Sequence, residues 1–105
     1  MATDTLARLE ATIAARRGAA PDTSYVAKLL AGGTPLAARK LGEEAVELVI
    51  AALAERDKLV AESADLLFHL MVLLADCDVP FADVLAELDR REGVSGIAEK
   101  ASRTS

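Results

Sequence analysis

Two acidic clusters with helical spacing constrain this chain more than any other feature. The first cluster holds Glu43, Glu44 and Glu47, and the second holds Glu62 and Asp65. The residues around both are largely apolar, and ionised carboxylates placed side by side among apolar residues repel each other and lose hydration. A bound cation removes both penalties. The pattern therefore favours a metal site, the alternative being an ordinary solvated helix face.

The composition of the chain is typical of packed helices. Hydrophobic residues make up 52% of its 105 residues, whereas aromatic residues make up only 3%. Most of the apolar residues are Ala and Leu, which favour helices, and the residue types that favour strands are sparse. We therefore predict an all-α fold. The predicted architecture is one domain over residues 1–105, an antiparallel bundle of about four main helices that is completed by oligomerisation, with a tail from about residue 93.

Hydrophobic periodicity and capping residues set the predicted boundaries of the helices. The four main helices are predicted at residues 4–17, 35–55, 58–76 and 80–91. A short helix that ends at residue 31 precedes the second of them. The predicted N-caps are Ser24 for the short helix and Thr3 or Asp4, Thr34 and Asp57 for the first three main helices. The predicted core face of the last helix consists of Phe81, Val84, Leu85 and Leu88.

The connection at residues 56–57 decides whether the two acidic clusters meet. Helices joined by two residues are antiparallel neighbours, so residues equally distant from the turn lie at the same height. This places Glu47 level with Asp65, and it places Glu62 about one turn nearer the connection, roughly 4.5 Å along the axis. The sequence therefore predicts one patch of oxygen ligands between two helices.

The ligand type favours a hard cation. All of the candidate ligands are carboxylates, and no Cys or His cluster has zinc-like spacing, so Mg²⁺ or Mn²⁺ is favoured over Zn²⁺. Such an ion keeps positions open for water and phosphate oxygens, which indicates polyphosphate chemistry. His69, alone on an apolar helix, is more typical of a hydrogen-bonded core residue than of a ligand. Cys77 is interpreted as a buried or incidental thiol.

Charge and hydropathy exclude several other classes. The net charge of -5 argues against a nucleic-acid partner. The single Cys77 and the absence of signal-peptide regions predict a cytoplasmic protein. The longest apolar run, residues 66–75, is far shorter than the roughly 20 residues of a membrane helix. Residues 45–53 carry apolar side chains on more than one side of their helix, which predicts a homodimer or a higher homo-oligomer.

Four segments of the chain together resemble the phosphoribosyl-ATP pyrophosphohydrolase family, within the MazG-like all-α nucleotide pyrophosphohydrolase superfamily. The acidic spacing carries the likeness to the superfamily. The closer likeness to the family lies in SYVAKLL at residues 24–30, RKLGEEAVE at 39–47, ESADLLFHL at 62–70, and the tail motifs SG and EKASR at 95–96 and 99–103. The resemblance extends over nearly the whole chain.

The resemblance implies hydrolysis of phosphoribosyl-ATP to phosphoribosyl-AMP and pyrophosphate, the second step of histidine biosynthesis. It also implies roles for residues of both clusters and their flanks. The metal ligands would be Glu44, Glu47, Glu62 and Asp65. Glu43 would either support the ligands without contacting the metal or orient the attacking water. A mechanism of this kind also needs cations that stabilise charge on the phosphates, for which Lys40 is the first candidate. The candidate substrate-binding residues are Tyr25, Lys28, Arg39, Lys100, Ser102 and Arg103. A solvated surface charge is the alternative for each cation, and a packing role is the alternative for Tyr25.

Three other functions compete with this interpretation. A house-cleaning pyrophosphohydrolase of a non-standard nucleoside triphosphate would have the same fold, but the tail motif argues against it. A helical oligomerisation module would carry the acidic residues as a solvated face and would bind magnesium only weakly. A ferritin-like iron protein would require Glu-x-x-His pairs, and the third residue after Glu62 is Asp65.

Overall fold

The computed structural model describes residues 2–93. This part of the chain folds into five α-helices and one 3-10 helix and contains no strand. The elements are α1 (Ala2–Arg16), α2 (Tyr25–Ala31), α3 (Gly33–Ala54), the 3-10 helix (Arg56–Lys58), α4 (Leu59–Asp76) and α5 (Phe81–Arg91). The predicted all-α class is confirmed.

The longest helices, α3 and α4, form an antiparallel hairpin against which α1 and α2 pack. The predicted two-residue connection with Asp57 as N-cap is wrong. The chain instead makes a 3-10 turn, and α4 begins at Leu59 after Lys58, whose side chain makes no capping hydrogen bond. The turn is closed by the amide of Lys58, which donates to the carbonyl of Glu55 at 2.9 Å, and by an ion pair between the same two side chains at 3.2 Å.

The predicted N-cap of α2 is confirmed, whereas that of α3 is wrong. The hydroxyl of Ser24 accepts from the amide of Ala27 at 3.2 Å and caps α2 as predicted. Thr34 lies inside α3, because the helix begins one residue earlier at Gly33, whose φ of 76° suits glycine. The Thr34 hydroxyl donates to the carboxylate of Asp76 and so ties the start of α3 to the end of α4.

The first helix also begins before its predicted caps. Because α1 starts at Ala2, Thr3 and Asp4 both lie within its first turn. Two apolar residues of this helix at helical spacing point inward: Ile13 is fully buried, and Leu9 packs beside it. Burying a side chain of this size contributes about 1.5 to 3 kcal/mol to the free energy of unfolding.

The hydrophobic core lies around the second half of α4. It is built from four buried side chains on three helices, Ile13, Leu29, Met71 and Val72. Partly buried residues pack around this cluster: Leu9, Val26, Leu30, Leu36, Phe68, Ala75 and Phe81. The first half of α4, together with the second half of α3, lies beyond this core, and that is the half of the hairpin that carries most of the acidic residues.

The apolar face of α5 is covered only at its beginning. Phe81 packs against the core and Val84 and Leu85 are half-buried, but Leu88 is 57% exposed. The prediction that Leu88 faces the core is therefore wrong.

A carboxylate from α1 holds the start of α5. The Phe81 amide, one of the donors that a helix leaves unpaired at its N-terminus, donates to Glu10 Oε2 at 2.8 Å. We expect Glu10→Ala to lower the free energy of unfolding by about 1 kcal/mol, the usual cost of losing an N-cap acceptor. Chemical denaturation would measure it. Glu10→Gln keeps an acceptor oxygen and should cost less, so an equal loss in both variants would contradict this interpretation.

A second apolar surface lies on the hairpin itself. Val46, Val49, Ile50 and Leu53 follow one another at helical spacing, and each is more than half exposed. We call these four residues the α3 apolar face. The opposite side of the same helix turns inward, where Ala37 and Ala51 are buried. None of the helices between residues 2 and 93 combines the length and hydropathy needed to cross a membrane.

Candidate metal and substrate site

Three of the predicted metal ligands converge between α3 and α4. Carboxylate oxygens of Glu44, Glu47 and Glu62 all lie within 4.8 Å of one another. We call these three residues the acidic cluster. Two of them are a helical turn apart on α3, which places them on the same face, and the third reaches them from the first turn of α4. A single cation could therefore contact all three side chains.

Two oxygens of the acidic cluster lack the partners that a bound cation would supply. Glu44 Oε2 and Glu62 Oε2 are buried and have no hydrogen-bond partner among residues 2–93. A buried polar atom without a partner is costly, and the cost is larger for an ionised carboxylate. A divalent cation would compensate for both oxygens at once. The donor set is all oxygen, which suits Mg²⁺ or Mn²⁺.

The electrostatics of Glu44 show how closely the carboxylates are held. Burial raises the pKa of this residue above its ordinary value, and a hydrogen bond with Glu47 and the negative charge of Glu47 raise it further. The charge of Asp65 acts in the same direction, whereas a positive charge on the imidazole of His69 would act in the opposite direction. Each of these effects except the last disfavours the ionised form of Glu44. A bound cation would favour it.

Asp65 lies near the acidic cluster but outside the group of three. Its charge acts on Glu44, and its backbone carbonyl lies 2.8 Å from Nδ1 of His69. Glu62 joins the group although it lies one turn nearer the connection than Asp65. The structure thus brings Glu44, Glu47 and Glu62 together and leaves Asp65 at their edge.

Glu43 is held by two cations of its own helix. Its carboxylate lies 3.6 Å from Nε of Arg39 and 3.4 Å from Nζ of Lys40. Glu43 and Arg39 are exposed, whereas the Lys40 side chain is only about one third exposed. Lys40 therefore has less freedom than an ordinary surface lysine, and it precedes Glu44 by one turn of α3.

Two of the predicted substrate-binding residues, Tyr25 and Lys28, lie on α2. Tyr25, the first residue of α2, places its hydroxyl 2.9 Å from Nε2 of His69, and its ring stacks on Phe68 at a centroid distance of 6.1 Å. Lys28 is exposed in the last turn of the same helix. Three further predicted residues, Lys100, Ser102 and Arg103, lie outside the described residues.

Sequence reasoning missed one cation and one pair of hydrogen bonds. A cleft of about 210 Å³ adjoins the acidic cluster on the side nearer the 3-10 turn. Its lining includes Lys58 together with Glu47 and Glu62. Lys58 had been interpreted only as the start of a helix. Sequence reasoning also missed the two hydrogen bonds made by His69, a residue interpreted as part of the core. It is buried as predicted, but its partners are Tyr25 and the backbone of Asp65. Its position one turn after Asp65 was the available signal.

The sequence is similar to those of known proteins that share one name. The family profile described as Phosphoribosyl-ATP pyrophosphohydrolase matches residues 6–92. A protein of Rhizorhabdus wittichii named Phosphoribosyl-ATP pyrophosphatase is 71% identical over 102 residues, covering 96% of each chain. Proteins of the same name from Novosphingobium aromaticivorans and Agrobacterium fabrum are 68% and 56% identical, covering 95% and 98% of this chain and 94% and 97% of their own. The chain therefore belongs to the phosphoribosyl-ATP pyrophosphohydrolase family.

Proposed function

We propose that this protein hydrolyses phosphoribosyl-ATP to phosphoribosyl-AMP and pyrophosphate, the second step of histidine biosynthesis. The observation that supports this most directly is the acidic cluster, with its two buried and unpartnered carboxylate oxygens. A cluster of this kind suits a hard cation that also contacts phosphate oxygens. The names of the relatives and the matched family profile specify the substrate.

The residues that would hold the cation are those of the acidic cluster together with Asp65. When bound, Mg²⁺ or Mn²⁺ supplies charge that stabilises phosphate oxygens and polarises a water molecule. The side chains prepare this site in the folded protein, because Glu44 and Glu47 share one helix face and need little rearrangement. Their mutual repulsion in the metal-free protein adds to the affinity for a cation.

We assign the remaining chemistry to the first helix of the hairpin. Glu43, held between Arg39 and Lys40, would accept a hydrogen bond from the attacking water and orient it. When the polyphosphate enters, Lys40 and Arg39 can exchange their exposed carboxylate partner for phosphate oxygens. This would leave Glu43 free to act as an acceptor at the moment when the water must be oriented.

Incubating the protein with phosphoribosyl-ATP and Mg²⁺ and assaying pyrophosphate tests the proposal directly. Release of pyrophosphate together with phosphoribosyl-AMP would support it. Hydrolysis of non-standard nucleoside triphosphates in preference to phosphoribosyl-ATP would instead identify a house-cleaning enzyme. Failure to hydrolyse any of these compounds, with only weak magnesium binding by calorimetry, would identify a non-catalytic helical module.

The raised pKa of Glu44 predicts how pH and magnesium act together. In the metal-free protein the ionised form is disfavoured, so the free energy of unfolding should fall as pH rises from the ordinary value of 4.5 through the raised pKa. Mg²⁺ binds the ionised carboxylate, so we expect it to raise the melting temperature more above that pKa than below it. Thermal unfolding at a series of pH values, with and without Mg²⁺, measures both effects. A magnesium effect that does not change with pH would contradict this assignment.

The tail offers a test of substrate binding outside the described residues. Lys100, Ser102 and Arg103 are phosphate-binding types, and the phosphoribosyl arm carries a terminal phosphate that an ordinary nucleoside triphosphate lacks. Deleting the chain after Ile97 should therefore lower kcat/KM for phosphoribosyl-ATP much more than it lowers helicity. Steady-state kinetics with circular dichroism as the folding control measures this. If the truncated protein has the same kcat/KM as the full-length protein, these residues have no role in substrate binding.

We further propose that the protein assembles as a homodimer or a higher homo-oligomer. The α3 apolar face supports this, because it is an uninterrupted stripe of exposed aliphatic residues on a folded helix. Stripes of this kind usually mark interfaces. The net charge of -5 gives no support for a nucleic-acid partner.

A further inference from the structure

His69 has a buried imidazole that no role above uses. It is only 6% exposed, and both of its ring nitrogens lie within hydrogen-bond distance of a partner. The ring also meets the rings of Tyr25 and Phe68 edge to face, at centroid distances of 5.8 and 5.0 Å. Its orientation is therefore fixed by two hydrogen bonds and by two aromatic contacts.

The direction of these hydrogen bonds follows from the partners. The carbonyl of Asp65 can only accept, so the proton of the imidazole must reside on Nδ1, 2.8 Å away. In the neutral ring Nε2 is then an acceptor, and the hydroxyl of Tyr25, 2.9 Å from it, must donate. The single hydroxyl proton of Tyr25 is thereby used. Towards any ligand, the phenol oxygen can only accept.

Tyr25 is at once held in place and open to solvent. Its hydroxyl is bound to His69, and its ring lies nearly parallel to that of Phe68, at an interplanar angle of 17°. Nevertheless, 49% of the residue is exposed. One imidazole ring separates its hydroxyl from the backbone of Asp65, beside the acidic cluster. An aromatic ring that is fixed on its inner side and exposed on its outer side is suited to stacking on a flat ligand.

We propose that His69 is a positioning residue that holds Tyr25 in a fixed orientation at the base end of the substrate. There the side chain of Tyr25 forms one wall of the binding site, and its phenol oxygen can only accept hydrogen bonds. This inference rests on the proposed function, which places a polyphosphate at the acidic cluster and a purine at a short distance from it. The purine offers a flat face for the ring of Tyr25 and N–H groups for its oxygen. Phosphate oxygens offer only acceptors at neutral pH, so an acceptor-only phenol would repel them. The wall therefore specifies which end of the substrate points towards α2.

The composition of the chain allows a direct test, because it contains one Tyr, one His and no Trp. In a protein labelled on Tyr and His, each set of ring NMR signals belongs to one residue. At mildly alkaline pH we expect His69 to show the tautomer protonated on Nδ1. Adding AMP with Mg²⁺ should shift the Tyr25 ring signals, whereas adding tripolyphosphate with Mg²⁺ should not. These measurements need no turnover, so they can fail while the hydrolysis assay succeeds, or the reverse.

Several outcomes would overturn the inference. A His69 ring protonated on Nε2, or on both nitrogens, would reverse the hydrogen bond to Tyr25. A Tyr25 response to tripolyphosphate equal to its response to AMP would show that the wall does not discriminate. No response to AMP would show that the wall does not contact the base.

Kinetics of three variants then separate positioning from a merely structural role. Tyr25→Phe and His69→Asn should each raise KM roughly three- to tenfold with little change in kcat, the range expected for one neutral hydrogen bond. If His69 acts through Tyr25, the double variant should have the KM of Tyr25→Phe alone. Multiplied effects in the double variant, or a loss that falls mainly on kcat, would overturn the positioning role. Circular dichroism checks that each variant is folded.

Discussion

Replacing Glu47 with Gln should lower kcat/KM for phosphoribosyl-ATP by roughly a thousandfold or more while the protein keeps its helices. The change removes one of three converging carboxylates, and a metal ion supplies several kcal/mol of stabilisation in reactions of this type. It also removes a charge that raises the pKa of Glu44, so the metal-free fold should lose little stability. Pyrophosphate release measures the first effect, and circular dichroism with thermal unfolding measures the second.

Glu55→Gln is the matched control for this experiment. Glu55 lines the same cleft and undergoes the same chemical change, but it pairs with Lys58 and does not belong to the acidic cluster. The kcat/KM of the Glu55→Gln variant should stay within a few-fold of the value for the unmodified protein. Asp65→Asn should behave like Glu47→Gln, since we propose Asp65 as a further ligand. Near-normal activity in the Glu47 variant would show that the cluster is a solvated face.

Leu53→Asp should convert the protein to monomers at concentrations where the unmodified chain is assembled. Leu53 is 83% exposed in the single chain, so in a true monomer the substitution should change stability by no more than about 0.5 kcal/mol. In an interface it would remove a buried Leu, worth about 1.5 to 3 kcal/mol, and bury a charge. We therefore expect a rise of at least roughly a hundredfold in the dissociation constant.

Sedimentation velocity over a range of protein concentrations measures this change. Leu53→Met keeps a side chain of similar volume and apolar character, and it should leave the assembly as it is. A well-folded monomer of the unmodified protein at micromolar concentration would contradict the proposed assembly. The α3 apolar face would then require a different partner.

Local sequence signals predicted the helices well and their ends less well. Ser24 was predicted correctly because a cap depends on residues a few positions away. Thr34 was wrong because a longer-range contact decided the outcome: its hydroxyl bonds to Asp76 across the hairpin. Asp57 was wrong for a local reason, since the chain there closes as a 3-10 turn between Glu55 and Lys58. Leu88 has a core-like position in its own helix, but no described element lies opposite it.

The candidate site divides in the same way. Helical spacing and a short connection were sufficient to predict that the two acidic clusters lie close together. They could not predict that Glu62 would join the group of three ahead of Asp65, since spacing along the chain does not fix where the carboxylate oxygens lie. The hydrogen bond between Tyr25 and His69 joins residues 44 positions apart, and no periodic pattern in the sequence reports such a contact.

The position of the core along α4 has a consequence for regulation by protein concentration. Among residues 2–93, the large, fully buried side chains lie with the second half of this helix, whereas its two proposed ligands, Glu62 and Asp65, lie on its first half, where α3 is the main neighbour. Such a segment opens locally more easily than the rest of the molecule. A cation and a second copy of the chain are the two additions that would close it, and each acts by mass action. Assembly and metal loading should therefore reinforce each other, so that dilution alone weakens metal binding and lowers activity per chain.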